Sequence, residues 1–479
     1  MSAQLMELTS FVAGEWLATG GESDVVTDKF DDSPVARMYA ADAEEVRRAV
    51  SALVEAQSLI RLTQRARADI LARAAELVRE RRSALIPLVQ RDAGFVRTDA
   101  EKEVDRTAET LTLCSEEAKR LAGHLIPMEG AAGGAGRFAY TRLDPLGVIC
   151  AITPFNSPLN TVAHKVGPAI AAGNAVILKP AAQTPASADA FVRVLLDAGL
   201  PPELISLVHG PGSSVGQWLT EDQRLAYYAF TGSTAVGRRI HSAVGMRPTQ
   251  LEMGSLASTI ICADADLDKA TSAAVNGTLR KSGQVCTSVQ RLYVHESVRT
   301  DVEALLTEKM RAQVAGDPYD TATLVGPLIA PREAERVERW IAEATEGGAD
   351  VLTGGRRAGN VVEPTVLSNA SERSRVMRDE LFGPVVVLRG FADLGRAIAE
   401  ANDTPYGLAS GIFTRDIDSA LTAADKMITG SVYINDTSGS RVDMMPFAGL
   451  KESGFGGPEG PAYAIRDMSM ERVISIRRP

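Results

Sequence analysis

One cysteine lies in a sequence context suited to attack on a carbonyl group. Cys286 ends the segment GQVC at 283–286, between a small-residue turn and an apolar, strand-like run. Gly283 leaves room for a backbone amide to approach a bound oxyanion, and a cysteine thiolate, accessible near neutral pH, is a strong nucleophile. Since a single cysteine is more often a small buried hydrophobic residue, this stretch alone leaves a catalytic and a structural interpretation open.

Two further sites could serve such a reaction. Glu252 follows a strand-like run and could act as a general base, although a lone glutamate is also common in caps and turns. Ser233 opens a predicted helix whose free first-turn amides could hold a phosphate. The G-x-G-x-x-G fingerprint of many dinucleotide-binding proteins is absent, so this serine cap is weak evidence by itself.

The composition excludes some classes of function. The 479 residues are 45% hydrophobic and 23% charged, which is ordinary usage for a chain of two or three globular domains. A formal net charge of -10 and an aromatic content of 5% provide no basic, aromatic-rich surface for nucleic acid. We therefore expect no nucleic-acid partner.

Cysteine and histidine spacing argues against a metal site and a disulfide framework. The cysteines at 114, 150, 262 and 286 show no C-x-x-C spacing, and the histidines at 124, 164, 209, 241 and 295 show no H-E-x-x-H pattern. The first residues do not resemble a signal peptide, and no apolar run reaches the ~18 residues needed to span a bilayer. We expect a cytoplasmic protein with reduced thiols, no bound metal and no membrane partner.

Periodicity predicts an α/β fold with two doubly wound units. Helical spacing dominates from Ala43 to about Arg120, and a glycine-rich turn at 128–136 between β-prone runs predicts a hairpin. This hairpin should pack on another subunit or on a C-terminal strand at 470–478. Strands and helices then alternate, with one predicted helix from Leu267 to Lys281. The loops at 153–156, 179–185 and 231–234 should face one crevice at the carboxyl ends of parallel strands.

Seven motifs, in order along the whole chain, resemble the aldehyde dehydrogenase family. They are TPFN at 153–156, ILKPA at 177–181, FTGST at 230–234, LEMG at 251–254, GQVC at 283–286, DELFGPV at 379–385 and PFAGLKESGFG at 446–456. Each motif is modest evidence, but their shared order is specific. The resemblance implies a cysteine mechanism. Cys286 would attack the aldehyde carbonyl, its amide and the Asn156 side chain would hold the oxyanion, and Glu252 would activate water to hydrolyse the resulting thioester.

The resemblance also implies a site for NAD or NADP. The implied contacts are Thr153, Pro154, Phe155, Lys179, Ala182, Gly232, Ser233, Glu380 and Phe382. Lys179 and Glu380 would bind the two riboses and Ser233 the pyrophosphate. Ala182 stands where many NAD-preferring relatives have a glutamate that repels a 2′-phosphate, so the bias against NADP is weakened. Ser255 replaces a glycine of the family pattern, and we do not expect it to stop the reaction.

Three residues are candidates for binding the substrate beyond its aldehyde group. Arg280, six residues before Cys286, matches a tunnel position that is commonly aromatic but in succinate-semialdehyde-type members is a carboxylate-binding arginine. His164 matches another tunnel position, and Arg106 approaches from its predicted helix. The alternatives are a solvated helix end for Arg280 and Lys281 and a surface ion pair for Arg106. One arginine in a desolvated tunnel would favour a small anionic aldehyde.

The expected domains follow the family pattern. A dinucleotide-binding domain would comprise 1–123 and 145–252, with 448–464 returning to it, and a catalytic domain would comprise 253–447. Segments 124–144 and 465–479 would form oligomerisation strands of a homodimer or homotetramer. The favoured activity is NAD(P)-dependent oxidation of a small polar, possibly carboxylate-bearing aldehyde to its acid. A CoA-acylating semialdehyde dehydrogenase and a non-catalytic binding or structural relative are the alternatives, and retention of Glu252 and Cys286 counts against them.

Overall fold

The computed structural model describes residues 5–477. The N-terminal part consists of β1 (Met6–Leu8), β2 (Phe11–Val12), β3 (Glu15–Trp16), β4 (Ser23–Thr27), β5 (Pro34–Tyr39), α1 (Ala43–Leu59), α2 (Gln64–Glu80), α3 (Arg82–Ala93), α4 (Arg97–Arg120), β6 (Leu125–Ile126) and β7 (Arg137–Pro145). The helices over 43–120 confirm the periodicity-based prediction. Helix α4 buries polar side chains at three- and four-residue spacing, namely Asp99, Glu103, Thr107 and Thr110. One face of α4 is therefore polar although it is buried.

An eight-stranded sheet follows. Its central elements are β8 (Val148–Ile152), α5 (Asn160–Ala172), β9 (Ala175–Lys179), α6 (Pro185–Asp197), β10 (Ile205–Leu207), α7 (Val215–Glu221), β11 (Tyr227–Thr231), α8 (Thr234–Val244) and β12 (Thr249–Glu252). Strands β12, β11, β8, β9 and β10 are neighbours in that order and parallel. Strands β9 and β11 lie on opposite sides of β8, so the sheet is extended first to one side of β8 and then to the other. At this switch point the loops after β8, β9 and β11 lie together, at the carboxyl ends of the parallel strands. This confirms the predicted grouping of the three loops.

A second, seven-stranded sheet uses the next part of the chain. Its region contains β13 (Ser258–Ile261), α9 (Leu267–Leu279), β14 (Arg291–His295), α10 (Arg299–Arg311), α11 (Pro331–Glu346), β15 (Asp350–Thr353), β16 (Arg357–Ala358), β17 (Val361–Val362), β18 (Thr365–Ser368), α12 (Arg375–Arg378), β19 (Val385–Phe391), α13 (Leu394–Asn402), β20 (Tyr406–Gly407), β21 (Ala409–Phe413), α14 (Ile417–Lys426) and β22 (Ser431–Ile434). The strand order is β15-β18-β19-β14-β13-β21-β22, and only β15 is antiparallel to its neighbour. The second doubly wound unit is thus present.

The chain then returns to the first sheet. The last elements are β23 (Leu450–Lys451), β24 (Gly454–Gly456), α15 (Pro461–Asp467) and β25 (Ser469–Arg477). Strand β24 pairs with β12 at the edge of the eight-stranded sheet. Strand β25 pairs along its whole length with β7, which also pairs with β6. The predicted hairpin therefore packs on the C-terminal strand of its own chain. No helix within 5–477 is long and apolar enough to span a membrane.

The predicted helix from Leu267 to Lys281 is too long. Helix α9 ends at Leu279, and residues 280–283 form a single tight turn in which Lys281, Ser282 and Gly283 have φ values of 51°, 57° and 74°. The backbone amide of Lys281 donates to Asp99 Oδ2 at 2.8 Å, and Ser282 Oγ donates to the Gly326 carbonyl at 2.9 Å. These long-range bonds hold a left-handed backbone that the local sequence does not favour.

Candidate active site

The left-handed turn at 280–283 leads directly to Cys286, which is partly buried. Gly283 is required in this turn because a Cβ atom there would lie 2.0 Å from the Gly383 carbonyl oxygen. The chain thus approaches another backbone segment too closely for any side chain. The cysteine is held by backbone packing against the segment that carries Phe382.

Asn156 lies against this cysteine loop. Its Nδ2 donates to the Gln284 carbonyl at 2.7 Å, and Gln284 is itself fixed because its Oε1 accepts from the Ile329 amide at 2.9 Å. A side-chain amide has two N–H donors, so Asn156 keeps one for another acceptor. Asn156 therefore lies beside the loop that carries Cys286 and contacts it two residues before the cysteine.

The surroundings of Cys286 disfavour its thiolate. Burial, followed by the nearby carboxyl groups of Glu380 and Glu252, raises the pKa of the thiol to about 12, while the charge of Arg441 opposes this shift. Burial has the largest effect because the charged form loses its hydration. The thiolate accessible near neutral pH that the sequence led us to expect stays a prediction.

Glu252 has the properties of a general base. It ends β12, is 2% exposed, and its Oε2 has no hydrogen-bond partner within the described chain. Burial and then the negative charge of Glu459 raise the pKa of Glu252 well above its usual value, against the opposing charges of Lys165 and Arg441. A buried carboxyl group with a raised pKa and a free oxygen is suited to accept a proton from a neighbouring group.

Glu459 is a buried residue of the site that the sequence analysis missed. Its Oε1 accepts from Lys165 Nζ at 2.9 Å and its Oε2 accepts from Arg441 Nη1 at 3.1 Å. Burial opposes ionisation, but the charges of Lys165 and Arg441 hold the pKa of Glu459 low. Glu459 is therefore a fixed anion beside Glu252. A signal was available, because the apolar run VGPAIAA follows Lys165 in helix α5 and indicates burial, and a buried lysine requires an acidic partner.

Arg106 and His164 converge on a second carboxylate, Asp443, which is 5% exposed. Arg106 donates to both Asp443 oxygens, from Nε at 3.0 Å and from Nη2 at 2.7 Å, and His164 Nε2 lies 2.8 Å from Oδ1. Burial opposes ionisation, yet these two partners hold the pKa of Asp443 below its usual range. The ion pair that was one alternative for Arg106 exists, but its partner is buried and not at the surface.

Arg280 is the third candidate for the substrate. Within 5–477 it has no carboxylate at salt-bridge distance, and it lines a cavity of about 540 Å³ together with Lys102 and Asp436. Burial and then the charge of Arg106 lower the pKa of Arg280, whereas Asp99 and Cys286 raise it. The alternative of a solvated helix end is wrong for its neighbour Lys281, which is 7% exposed and paired with Glu103. Arg280 is thus a half-buried cation within electrostatic range of Cys286.

Arg441 was not identified from the sequence. Its Nη1 binds Glu459, but its Nε and Nη2 are buried without a partner among the described residues. Its guanidinium stacks over the Phe447 ring at 4.0 Å, and its charge lowers the pKa of both Cys286 and Glu252. Arg441 and Asp443 share the loop before the PFAG motif, so this loop contributes to both charge clusters.

The expected dinucleotide contacts lie at the carboxyl edge of the first sheet. Ser233 caps α8, where its Oγ accepts from the Val236 amide at 3.4 Å, and it stays exposed at the helix end. Thr153 Oγ1 is buried without a partner among residues 5–477, and burial lowers the pKa of Lys179 to about 8. Gly232 has no space for a side chain, since a Cβ atom would lie 2.6 Å from the Phe230 ring. An open helix N-terminus beside unpaired donors suits a phosphate and a hydroxyl-rich ribose.

The segment of Glu380 and Phe382 closes this region on the other side. Glu380 Oε1 accepts from the Ser255 amide at 3.0 Å, and burial raises the pKa of Glu380 to about 7. Phe382 has a φ of 52° and meets Phe155 edge-on with ring centroids 5.9 Å apart. Ser255, the departure from the family pattern, has a buried Oγ without a partner in the described chain. The donors, acceptors and aromatic rings present fit a dinucleotide.

The fold and the site define a class of protein. Two doubly wound sheets with a nucleotide-type crevice, next to a thiol and a buried carboxyl group, are typical of a dehydrogenase. The chain belongs to the aldehyde dehydrogenase family, whose model matches residues 16–474. It is an oxidoreductase that acts on aldehydes and uses NAD or NADP.

Three comparisons illustrate the extent of the similarity. The chain is 40% identical over 473 residues to 3-sulfolactaldehyde dehydrogenase from Priestia aryabhattai. The aligned residues cover 99% of this chain and 98% of that protein. Aldehyde dehydrogenase 21 from Physcomitrella patens, in complex with the reaction product succinate, superposes with a TM-score of 0.96, 32% identity and coverage of 99% of both chains. Glyceraldehyde-3-phosphate dehydrogenase GapN from Methanocaldococcus jannaschii, complexed with NADP, gives a TM-score of 0.91, 33% identity and coverage of 95% of this chain and 99% of that chain.

Proposed function

We propose that the protein oxidises a small aldehyde with an anionic tail to the corresponding acid, using NAD or NADP. The observation that carries this proposal is the presence of two incompletely paired arginines, Arg280 and Arg441, within electrostatic range of Cys286. Arg280 has no carboxylate partner within the described chain, and Arg441 has two buried nitrogens without one. Leaving the two buried Arg441 donors desolvated and unpaired costs free energy, which an anionic ligand would recover.

The names of the similar proteins support this substrate class. They include a sulfolactaldehyde, a succinate complex and a glyceraldehyde phosphate, and each of these molecules carries a group that is anionic near neutral pH. A planar guanidinium can bind a carboxylate, a sulfonate or a phosphate with two hydrogen bonds. The arginines thus favour an oxyanion tail on a short aldehyde over an apolar chain.

The proposed reaction begins at Cys286. Its thiolate sulfur attacks the carbonyl carbon, and the electron pair of the C=O bond moves to oxygen, where the free Asn156 N–H and the Cys286 amide stabilise it. The bound dinucleotide supplies a hydride acceptor. Loss of hydride from this carbon restores the C=O bond as a thioester. Glu252 then removes a proton from water, whose oxygen attacks the thioester and releases the acid and the Cys286 thiolate.

We assign cofactor binding to the first unit, residues 1–123 and 145–252 with 448–464, and the second unit, 253–447, to catalysis. Lys179 would bind the adenosine ribose, Ser233 the pyrophosphate and Glu380 the nicotinamide ribose, with Phe382 beside the nicotinamide. Within the described part of the chain, Lys179 Nζ bonds only to the Pro180 carbonyl, at 3.2 Å, so it has donors left for ribose or a 2′-phosphate. Ala182 contributes no carboxylate that would repel that phosphate.

We also propose a homodimer or homotetramer. Strand β25 is an edge strand of the three-stranded sheet, and large apolar side chains at Phe138, Val473 and Ile476 are exposed on β7 and β25. An exposed, apolar edge strand is suited to pairing with a second copy. Residues 478–479 of the expected oligomerisation segment lie outside the described residues. A cytoplasmic location is proposed from the free cysteines alone.

Product analysis tests the proposed reaction. The protein would be incubated with succinate semialdehyde and NAD or NADP, with and without CoA, and succinate and reduced cofactor would be quantified. The proposal predicts one reduced cofactor for each succinate and no requirement for CoA. Accumulation of succinyl-CoA with no free succinate would establish the acylating alternative.

A further inference from the structure

Helix α4 contacts both loops of the site through two buried carboxyl groups. Asp99 and Glu103 are one helical turn apart and therefore share a face. Asp99 Oδ2 accepts from the Lys281 amide at 2.8 Å, and Glu103 Oε2 accepts from Lys281 Nζ at 2.7 Å. Both bonds end on the left-handed turn that precedes Cys286. The helix thus fixes the cysteine loop at its main chain and at its side chain.

Glu103 and Lys281 also bind the loop of Asn156. Lys281 Nζ donates to the Asn156 carbonyl at 2.8 Å, while Glu103 Oε1 accepts from Ser157 Oγ at 2.8 Å and from the Asn160 amide at 2.8 Å. Glu103 is 1% exposed and Lys281 is 7% exposed. Burial opposes ionisation, but the charge of Lys281 holds the pKa of Glu103 below its usual value. This buried ion pair is therefore shared by two loops that are more than 100 residues apart in the sequence.

We infer that Glu103 and Lys281 are positioning residues, which set the side-chain amide of Asn156 at its working distance from Cys286. The inference rests on the proposed function, in which that amide stabilises the oxyanion. The bond from Lys281 reaches the carbonyl of Asn156 itself, so its loss would release the residue that carries the donor. An oxyanion donor is effective only within a few tenths of an ångström of the hydrogen-bond distance to the oxyanion. The Glu103–Lys281 ion pair can hold Asn156 at that distance because it binds both loops.

A double-mutant cycle distinguishes positioning from general damage to the fold. The variants are Lys281→Met, Asn156→Ala and the two combined, and the readout is the single-turnover rate of reduced cofactor formation from succinate semialdehyde. Lys281→Met should lower this rate about tenfold or more, as expected for a displaced oxyanion donor. In the Asn156→Ala background the same substitution should lower it less than about twofold, because residues that act through one another are not additive.

Two further readouts separate alignment from loss of the site. Cofactor affinity and the rate of Cys286 alkylation by iodoacetamide should stay at wild-type values in Lys281→Met, since neither needs the Asn156 donor. The matched control is Arg82→Met, which breaks the exposed pair between Arg82 of helix α3 and Asp105 of helix α4 and should leave all rates unchanged. If Lys281→Met unfolds because Glu103 is left as an unpaired buried charge, the combined Glu103→Gln, Lys281→Met variant removes both charges and should show the same slow single turnover.

The outcomes separate this inference from the proposed function. Multiplicative effects of Lys281→Met and Asn156→Ala would overturn the positioning role and leave the proposed reaction standing. An unchanged rate in folded Lys281→Met, or alkylation slowed as much as turnover, would overturn it as well. An unchanged rate in Asn156→Ala would remove the oxyanion role from the proposed function and this inference with it.

Discussion

The side-chain amide of Asn156 donates a 2.7 Å hydrogen bond to the main-chain carbonyl of Gln284, two residues before Cys286. Asn156 follows strand β8 of the first sheet, whereas Gln284 follows helix α9 of the second unit. This single bond therefore connects the two halves of the site across 128 positions of sequence. The second amide hydrogen of Asn156 stays free. It can donate to the aldehyde oxygen when Cys286 attacks the carbonyl carbon.

Replacement of the nucleophile should separate chemistry from binding. Cys286→Ala should abolish aldehyde oxidation, because no other cysteine of the described chain lies in the site, while NADH or NADPH binding measured by fluorescence should be retained. Cys262→Ala, which changes a buried thiol near Asp264 in the second unit, is the matched control and should stay active. Loss of cofactor binding in Cys286→Ala would show that the residue is structural.

Glu252→Gln should divide the reaction into its two halves. A stoichiometric burst of reduced cofactor should persist, while steady turnover should slow by about 100-fold or more, the usual contribution of a general base. Stopped-flow absorbance at the reduced nicotinamide band measures both phases. An unchanged steady rate would exclude Glu252 as the base.

The pH dependence of turnover follows from the raised pKa of Glu252. A general base acts only when ionised, so kcat of the wild type should fall as pH decreases through this raised pKa, well above the usual range of a glutamate. The acidic limb should be absent from the residual rate of Glu252→Gln. A wild-type profile that is flat down to the ordinary pKa of a glutamate would contradict the role of burial and Glu459 in tuning this carboxyl.

Removal of the unpaired arginine should affect charged substrates selectively. Arg280→Leu should raise KM for succinate semialdehyde about tenfold more than for butanal, equivalent to about 1.4 kcal/mol. Steady-state kinetics with both aldehydes measures this difference, and Arg120→Leu, at the exposed end of α4, provides a control. Equal effects on the two substrates would place the anionic tail elsewhere.

Cofactor choice should respond to position 182. Ala182→Glu should lower kcat/KM for NADP by about tenfold or more and leave that for NAD within about twofold, since a carboxylate repels the 2′-phosphate but can bind a ribose hydroxyl. The ratio of kcat/KM for the two cofactors is the measurement. If this ratio does not change, Ala182 does not lie beside the ribose.

The sequence predicted the sheets better than it predicted the charge clusters. Alternating apolar strands and amphipathic helices identified both doubly wound units, because burial of regular elements leaves a local, periodic pattern. The charge clusters, by contrast, join residues that are 178 or more positions apart in the sequence. They are the pairs Asp443–Arg106, Glu459–Lys165 and Glu103–Lys281. No local rule ties such residues together before the chain is folded.

The end of helix α9 shows why local preference failed at the site itself. Arginine, lysine and serine after Leu279 are compatible with a continued helix, and the sequence predicted one to Lys281. Instead Lys281 turns into a left-handed conformation, where its amide meets Asp99 and its ammonium meets Glu103. Tertiary hydrogen bonds and a buried ion pair outweighed a helix propensity worth well under 1 kcal/mol per residue.

The most direct test of the proposed substrate class is a comparison of kcat/KM for succinate semialdehyde and butanal in the wild-type protein, each with NAD and with NADP. The two aldehydes have the same chain length and differ by one carboxylate. A preference of about tenfold or more for the acid, about 1.4 kcal/mol in the transition state, is the predicted result. An equal or reversed preference would contradict the role of Arg280 and Arg441 as an anion-binding site.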